Sequence, residues 1–198
     1  MPVAVTIDSS QIRTGPGIIR FAPLGSALPT MAVANSTFLA DTWPVAWLEV
    51  GPTDSGFQTT HSTDTDKVEV EESLYAVRTE TTGKTDAVSF TLAADNLRTM
   101  KLAMNGGVVL TTGSTVTTLN KYSPPLIGNE VRVMIGWESD DNKVRQIFYQ
   151  CFQTGSPNPE RRKGTAKAAY GLEFAVELPA PAVASTPWNR WDAGVATV

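Results

Sequence analysis

Apolar and polar residues alternate with a period of two through much of the chain, which puts successive side chains on opposite faces of a strand and predicts half-buried sheet. The clearest run is residues 169–178, where Tyr170, Leu172, Phe174, Val176 and Leu178 alternate with Gly171, Glu173, Ala175 and Glu177. Residues 130–138 set Val131, Val133, Ile135 and Trp137 against Arg132, Met134, Gly136 and Glu138, and the Ser139-Asp140-Asp141-Asn142 cluster predicts a turn into residues 144–152. That last run is apolar on both faces, which predicts a strand in mid-sheet or covered on both sides. Residues 18–23 predict a short strand after the Gly15-Pro16-Gly17 turn, and residues 46–50 predict another between Pro44 and Gly51-Pro52. In residues 67–79, Val68 and Val70 alternate with Glu69 and Glu71, and Tyr75 and Val77 resume the apolar set after an offset near Ser73. Thr82-Gly83-Lys84 then predicts a hairpin turn into residues 87–92, where Val88, Phe90 and Leu92 alternate with Ser89 and Thr91.

One helix is predicted, at residues 96–104, with Leu97, Met100 and Met104 on one face, Asp95 as N-cap and Gly106 as its stop. At about nine residues it needs packing against the sheet to persist. Residues 24–44, rich in Ala, Ser, Thr and Pro without a period, predict a long loop, and residues 53–66 predict a polar one. From Pro179 the Pro and Ala content predicts a C-terminal tail, 179–198, whose large apolar anchors are Trp188 and Trp191. A chain of 198 residues with 41% hydrophobic content buries a sizeable core, so one mainly β domain over residues 1–178 is expected.

Charge narrows the function classes. A net charge of -4 argues against a surface built to grip nucleic acid, because phosphate contacts need clustered Lys and Arg. The one basic cluster, Arg161-Arg162-Lys163, lies among Pro157, Pro159 and Gly164 and reads as a solvated loop. Cys151 is the single cysteine, so no intramolecular disulfide forms, and the chain fits a reducing compartment. The first ten residues carry no secretory signature, and no apolar run approaches the roughly 20 residues that span a bilayer. His61 is the sole histidine, in a Thr-Thr-His-Ser-Thr-Asp setting, which leaves no second imidazole for a metal and no Ser-His-Asp arrangement. The carboxylate pairs Asp64 with Asp66, Glu71 with Glu72, and Asp140 with Asp141 lack the spacing of a calcium loop and read as solvated turns or strand faces. Gly15-Pro16-Gly17 and Gly106-Gly107 do not continue into a phosphate-binding loop. The expectation is a chain without catalytic, cofactor-binding or metal-binding residues.

A resemblance supplies what the chemistry does not. Gly15-Pro16-Gly17-Ile18, Ala22-Pro23-Leu24-Gly25, Trp47-Leu48-Glu49-Val50-Gly51, Thr53-Asp54-Ser55-Gly56-Phe57, Glu69-Val70-Glu71-Glu72-Ser73 and Val88-Ser89-Phe90-Thr91-Leu92, followed by Asp95-Asn96-Leu97, stand in one order. In that order the chain resembles the major tail (tail tube) proteins of long non-contractile-tailed, siphovirus-type phages, particularly those infecting actinobacteria. The resemblance implies an antiparallel β-sandwich or barrel-like subunit with one flanking helix, six of which close into a ring. Stacked rings form the tube through which the genome is ejected. It further implies that the chain partners itself, tail-tip and terminator proteins, and the tape measure protein and genomic double-stranded DNA in the lumen, read without sequence specificity. The implied location is the virion tail, assembled in the host bacterial cytoplasm, with no membrane partner.

Alternation then suggests surfaces. With Val68, Val70, Phe90, Leu92, Phe174 and Val176 toward the core, Glu69, Glu71, Ser89, Thr91, Glu173 and Glu177 face the lumen or a subunit contact. An acidic, hydroxyl-lined wall repels phosphate and lets DNA slide. The polar loop, in particular Phe57, Gln58, Thr59, Thr60, His61, Ser62, Thr63, Asp64 and Thr65, is the expected contact between rings, and Trp188 and Trp191 are expected to dock the tail on a neighbour. Alternative readings are a terminator or tail-tip subunit, or a β-sandwich carbohydrate-binding module stacking sugars on Trp43, Trp47, Trp137, Trp188 and Trp191.

Overall fold

The structure, a computed structural model, describes residues 17–29, 31, 33–34, 38–39, 43–71, 75–114, 117–158, 169–181 and 183–193. Within them the chain runs through β1 (Gly17–Pro23), β2 (Val33–Ala34), β3 (Phe38–Leu39), β4 (Leu48–Glu49), β5 (Thr53–Val68), β6 (Arg78–Leu92), α1 (Leu97–Ala103), β7 (Val108–Ser114), β8 (Thr117–Ser123), β9 (Val133–Ser139), β10 (Val144–Gln153), β11 (Tyr170–Val176) and β12 (Trp188–Asp192). Eight strands form one antiparallel sheet in the order β4-β1-β9-β10-β11-β6-β5, with β12 paired to β10, while β2-β3 and β7-β8 are separate hairpins. The fold is mainly antiparallel β with one short helix, and the large sheet is sandwich-like and unclosed.

The sheet must curl. β4 and β5 are its terminal strands, yet only Val50, Gly51 and Pro52 join them. At about 3.5 Å per residue, that link holds the two ends within about 14 Å of each other. The curl wraps a core of Ile19, Val88, Phe90, Leu92, Ile135, Phe148, Tyr170, Leu172 and Phe174. Phe57 on β5 reaches across it, stacking at 5.8 Å from Trp137 on β9 and packing 6.0 Å from Phe148 on β10. A second cluster lies on the outer face of the β1-β9-β10 half, where Ala22, Met134, Ile147 and Tyr149 are covered by Trp43, Trp47 and Trp191.

β10 explains why residues 144–152 are apolar on both faces. It lies between β9 and, along its other edge, β12 and then β11. A register shift between Phe148 and Cys151 turns both of these side chains into the inner core, while Ile147 and Tyr149 serve the outer cluster.

The helix is capped differently from its sequence reading. Asn96, not Asp95, is the N-cap, its side chain accepting from the Thr99 N–H at 2.9 Å, and Asp95 instead accepts from the Tyr170 hydroxyl at 2.7 Å. The buried face is Thr99, Leu102 and Ala103, whereas Met104 is exposed. At the C-terminus Asn105 takes the left-handed position (φ 52°), with Gly106 N–H donating to Lys101 O and Asn105 N–H to Leu102 O, the paired bonds of a Schellman stop. Gly106 and Gly107 follow at φ 123° and 102°, a turn that suits glycine alone.

The largest departure concerns residues 53–92. Residues 53–66, read as a loop, are most of β5, a 16-residue strand, and the Thr82-Gly83-Lys84 turn lies inside β6. The hairpin closes instead beyond Val68, where Val77 N–H donates to Val68 O at 2.9 Å. Val68 and Val70, expected in the core, are exposed. Both faces of this ribbon are solvated, so it carries no apolar alternation, and its Thr-rich composition still suits a strand through β-branching. Residues 46–50 yield only the two-residue β4, and the β7-β8 hairpin was not foreseen. Arg161-Arg162-Lys163, Glu72, Ser73 and the Gly15-Pro16 turn lie outside the described residues, as does part of the 24–44 segment.

Candidate assembly surfaces

The first surface is an arm. β6 is braced by β11 from Leu92 down to Asp86, paired with Val176, and beyond Asp86 its one ladder partner among the described residues is β5, through to Val68 opposite Arg78. At about 3.3 Å per residue, those eight steps carry the ribbon about 26 Å past β11. Nearly every described side chain of the ribbon is exposed, and at its tip Tyr75 and Val77 are 83% and 64% exposed. A two-stranded ribbon alone in water is at best marginally stable.

The root of the arm is fastened. His61 and Asp86 face each other across it, with Nδ1 to the carboxylate at 2.7 Å. The other Asp86 oxygen accepts from the Trp188 indole N–H at 3.0 Å, and the Trp188 ring lies 5.1 Å from His61 and 6.2 Å from Phe148. Trp188 and Trp191, expected to dock on a neighbour, therefore pack on their own chain: β12 pairs along β10, and Trp191 covers the outer cluster. All five tryptophans pack on their own chain, Trp43, Trp47 and Trp191 against the outer cluster and Trp137 and Trp188 against the inner one, Trp47 buried and the other four partly so.

The second surface is a polar face on the outside of β5, β6 and β11. Register places Glu173 opposite Ser89, Gly171 opposite Thr91, Gln58 opposite Ser89 and Ser55 opposite Thr91. With Gly155 and Ser156 these residues line a shallow depression of about 360 Å³. Three of the six residues expected to share a face, Ser89, Thr91 and Glu173, thus come together. Glu177 lies past the end of β11, bonded to Arg132 Nε at 2.6 Å and to the Gln150 amide at 2.6 Å, and the Arg132 hydrogen bond holds its carboxyl below the usual range. Arg132 also stacks over Phe152, 5.0 Å from the ring centre. Glu69 and Glu71 are elsewhere, at the tip of the arm. Of the residues expected between rings, Phe57 is core and Gln58 lies on the polar face, while Ser62, Thr63, Asp64 and Thr65 form the outward half of β5.

The third surface is an apolar groove of about 700 Å³ between α1, the Pro23 end of β1, the Val133 end of β9 and β7. Phe21, Leu24, Leu48, Leu97, Val109 and Val131 supply its floor and walls, and Arg98, Lys101 and Arg132 are its charged residues. Val108, Leu110, Leu119, Leu126 and Ile127 are further exposed apolar side chains, on or near the β7-β8 hairpin. No single segment of the sequence announces this groove, since its walls come from five elements.

Among the described residues, no group of three or more His, Cys, Asp or Glu side chains is arranged to hold a metal ion, and no helix is long and apolar enough to cross a membrane. Cys151 is fully buried, and burial pushes its thiol far up, so it stays protonated and inert. No curated protein matches the chain. The family model described as phage tail tube protein matches residues 5–157, a span that takes in the arm, the helix and most of the sheet. The fold is mainly antiparallel β with a projecting hairpin, and by this match over most of its length the chain belongs to the phage tail tube protein family, a structural part of the virion tail.

Proposed function

We propose that the chain self-assembles into hexameric rings that stack into the tail tube, the conduit through which DNA is ejected into the host, and that assembly takes place in the host bacterial cytoplasm. Tail-tip, terminator and tape measure proteins are its partners in the tail. The observation that carries the reading is the arm: a long two-stranded ribbon with solvated faces and an apolar tip gains stability only when a neighbour covers it. A second feature supports ring closure. β5 is the terminal strand of the sheet, and a long open edge in a self-assembling subunit is satisfied by pairing with the next copy.

The arm is the contact between rings in this reading, and the face of Ser89, Thr91 and Glu173 lines the lumen, where hydroxyls and carboxylate give DNA no cationic grip. Removing residues 63–84 and closing the ribbon with a two-residue turn tests the assembly role, because the residues that pack on the body remain. The shortened chain is expected to fold and stay soluble without forming tubes under conditions in which the full chain does. Tubes of normal length from the shortened chain would overturn the role given to the arm.

A further inference from the structure

We propose that the tip of the arm of one copy seats in the apolar groove of a second copy, so that groove and tip are the two halves of the contact along the tube. The inference rests on the self-assembly reading above and names the receiving surface. Strand direction places the two halves at opposite ends of the subunit. β6 runs from the tip at Arg78 toward α1, and in the antiparallel order the Tyr170 end of β11, the Gln153 end of β10, the Val133 end of β9 and the Pro23 end of β1 all lie at that α1 end. The groove opens there, among α1, Pro23 and Val133, while the tip points the other way. A surface at one end that fits a different surface at the other is a head-to-tail contact, and directed along an axis such a contact stacks copies into an open filament.

Chemistry matches as well as position. The tip offers Val68, Val70, Tyr75 and Val77 to solvent, and the groove offers Leu24, Leu48, Val109 and Val131, so docking removes apolar area from water on both sides. At the tip Asp66, Glu69 and Glu71 outweigh Lys67, and Arg78 pairs with Glu80 at 3.1 Å. The groove carries Arg98 and Lys101 and, paired with Glu177 at 2.6 Å, Arg132, with no carboxylate among its lining residues. Arg98 donates to the Glu49 backbone carbonyl at 3.2 Å, which leaves its charge uncancelled by that bond. An acidic apolar tip and a basic apolar groove select each other over a second tip or a second groove, because like charges brought together cost free energy.

Cysteine pairing tests the contact without depending on tube growth. Val70→Cys is placed in one sample of the full chain and Val109→Cys in another, the two are mixed under mild oxidation, and cross-linked dimer is read on a non-reducing gel. Val45→Cys, at a position 98% exposed and outside the groove, replaces Val109→Cys as the control, and the buried Cys151 stays silent. The expected result is cross-linking to position 109 at least about tenfold faster than to position 45, since a docked tip raises the local thiol concentration well above that of random encounter. Equal rates at the two positions would overturn the inference and leave the groove to a different occupant, such as a small apolar ligand. Electron microscopy of the same samples separates the two claims. Tubes with no selective cross-link would retain the tube and reject this contact; a selective cross-link without tubes would retain the contact and reject the tube; absence of both would reject both.

Discussion

At the scale of single residues, Glu138 shows how a charge is kept inside the sheet. Its carboxylate accepts from Arg145 at 2.7 Å, from Arg20 at 2.8 Å and from the Trp43 indole N–H, and both guanidinium groups lie about 5 Å from the Trp43 ring. The group pins the Trp43–Trp47 segment over β9, where Gly136 leaves room: a Cβ there would meet the Trp43 ring at 2.5 Å. Glu138→Ala leaves Arg145, 1% exposed, without this carboxylate, and breaking one side of a buried pair costs about 3–5 kcal/mol. The urea midpoint of that variant is expected to fall sharply, with a smaller fall for Glu138→Gln, which keeps an acceptor. Arg132 and Glu177 give a pH-dependent counterpart. The folded Glu177 carboxyl lies below its ordinary value, held there first by the Arg132 hydrogen bond. The pair therefore stabilises fully above the unfolded value, about 4.3, and the contribution is lost as pH falls through the lower folded value. Thermal melts should show Arg132→Ala less stable than the parent near pH 7 and indistinguishable from it in strong acid; a difference that persists in acid would assign the effect to packing on Phe152 instead.

At the scale of elements, legibility followed burial. β10 and β11 were readable because buried side chains write a period into the sequence: Tyr170, Leu172 and Phe174 are core, and Gly171 and Glu173 are not. The arm was not readable as strand, since nothing is buried along Ser62–Thr65 to make one face apolar, and Val68 and Val70 imitate a core alternation at a tip that faces solvent. The helix cap was missed by one residue because Asp95 and Asn96 are both good caps, and only the Tyr170 hydroxyl decides which is free to serve. The polar face illustrates the opposite outcome: Ser89, Thr91 and Glu173 share a side through strand alternation that the sequence displays, and register alone brings them level. In the lumen reading, Glu173→Lys places a cation on this face without touching the core. Tubes are expected to form normally and DNA ejection to slow, measured by dye uptake or genome release from assembled virions; unchanged ejection would remove Glu173 from the lumen.

At the scale of the whole molecule, the subunit divides its labour. A curled sheet around one core provides rigidity, a second cluster under three tryptophans thickens one half of it, and three surfaces remain open: the arm, the polar face and the groove. For an isolated monomer the arm and the groove are liabilities, because open strand edges and exposed apolar patches promote association. In the assembly proposed above they are the means of building. Sequence order was enough to suggest that family; the groove and the brace formed by His61, Asp86 and Trp188 were not visible, because they join residues up to 127 positions apart. The central claim, that this subunit polymerises, is tested most directly by negative-stain electron microscopy of the purified full chain across a concentration series, with light scattering on the same samples. The account predicts hollow tubes whose end-on views have six-fold symmetry and whose scattering rises with concentration. A species that stays monomeric at every concentration, including in the presence of purified tail-tip complex as a nucleus, would contradict it.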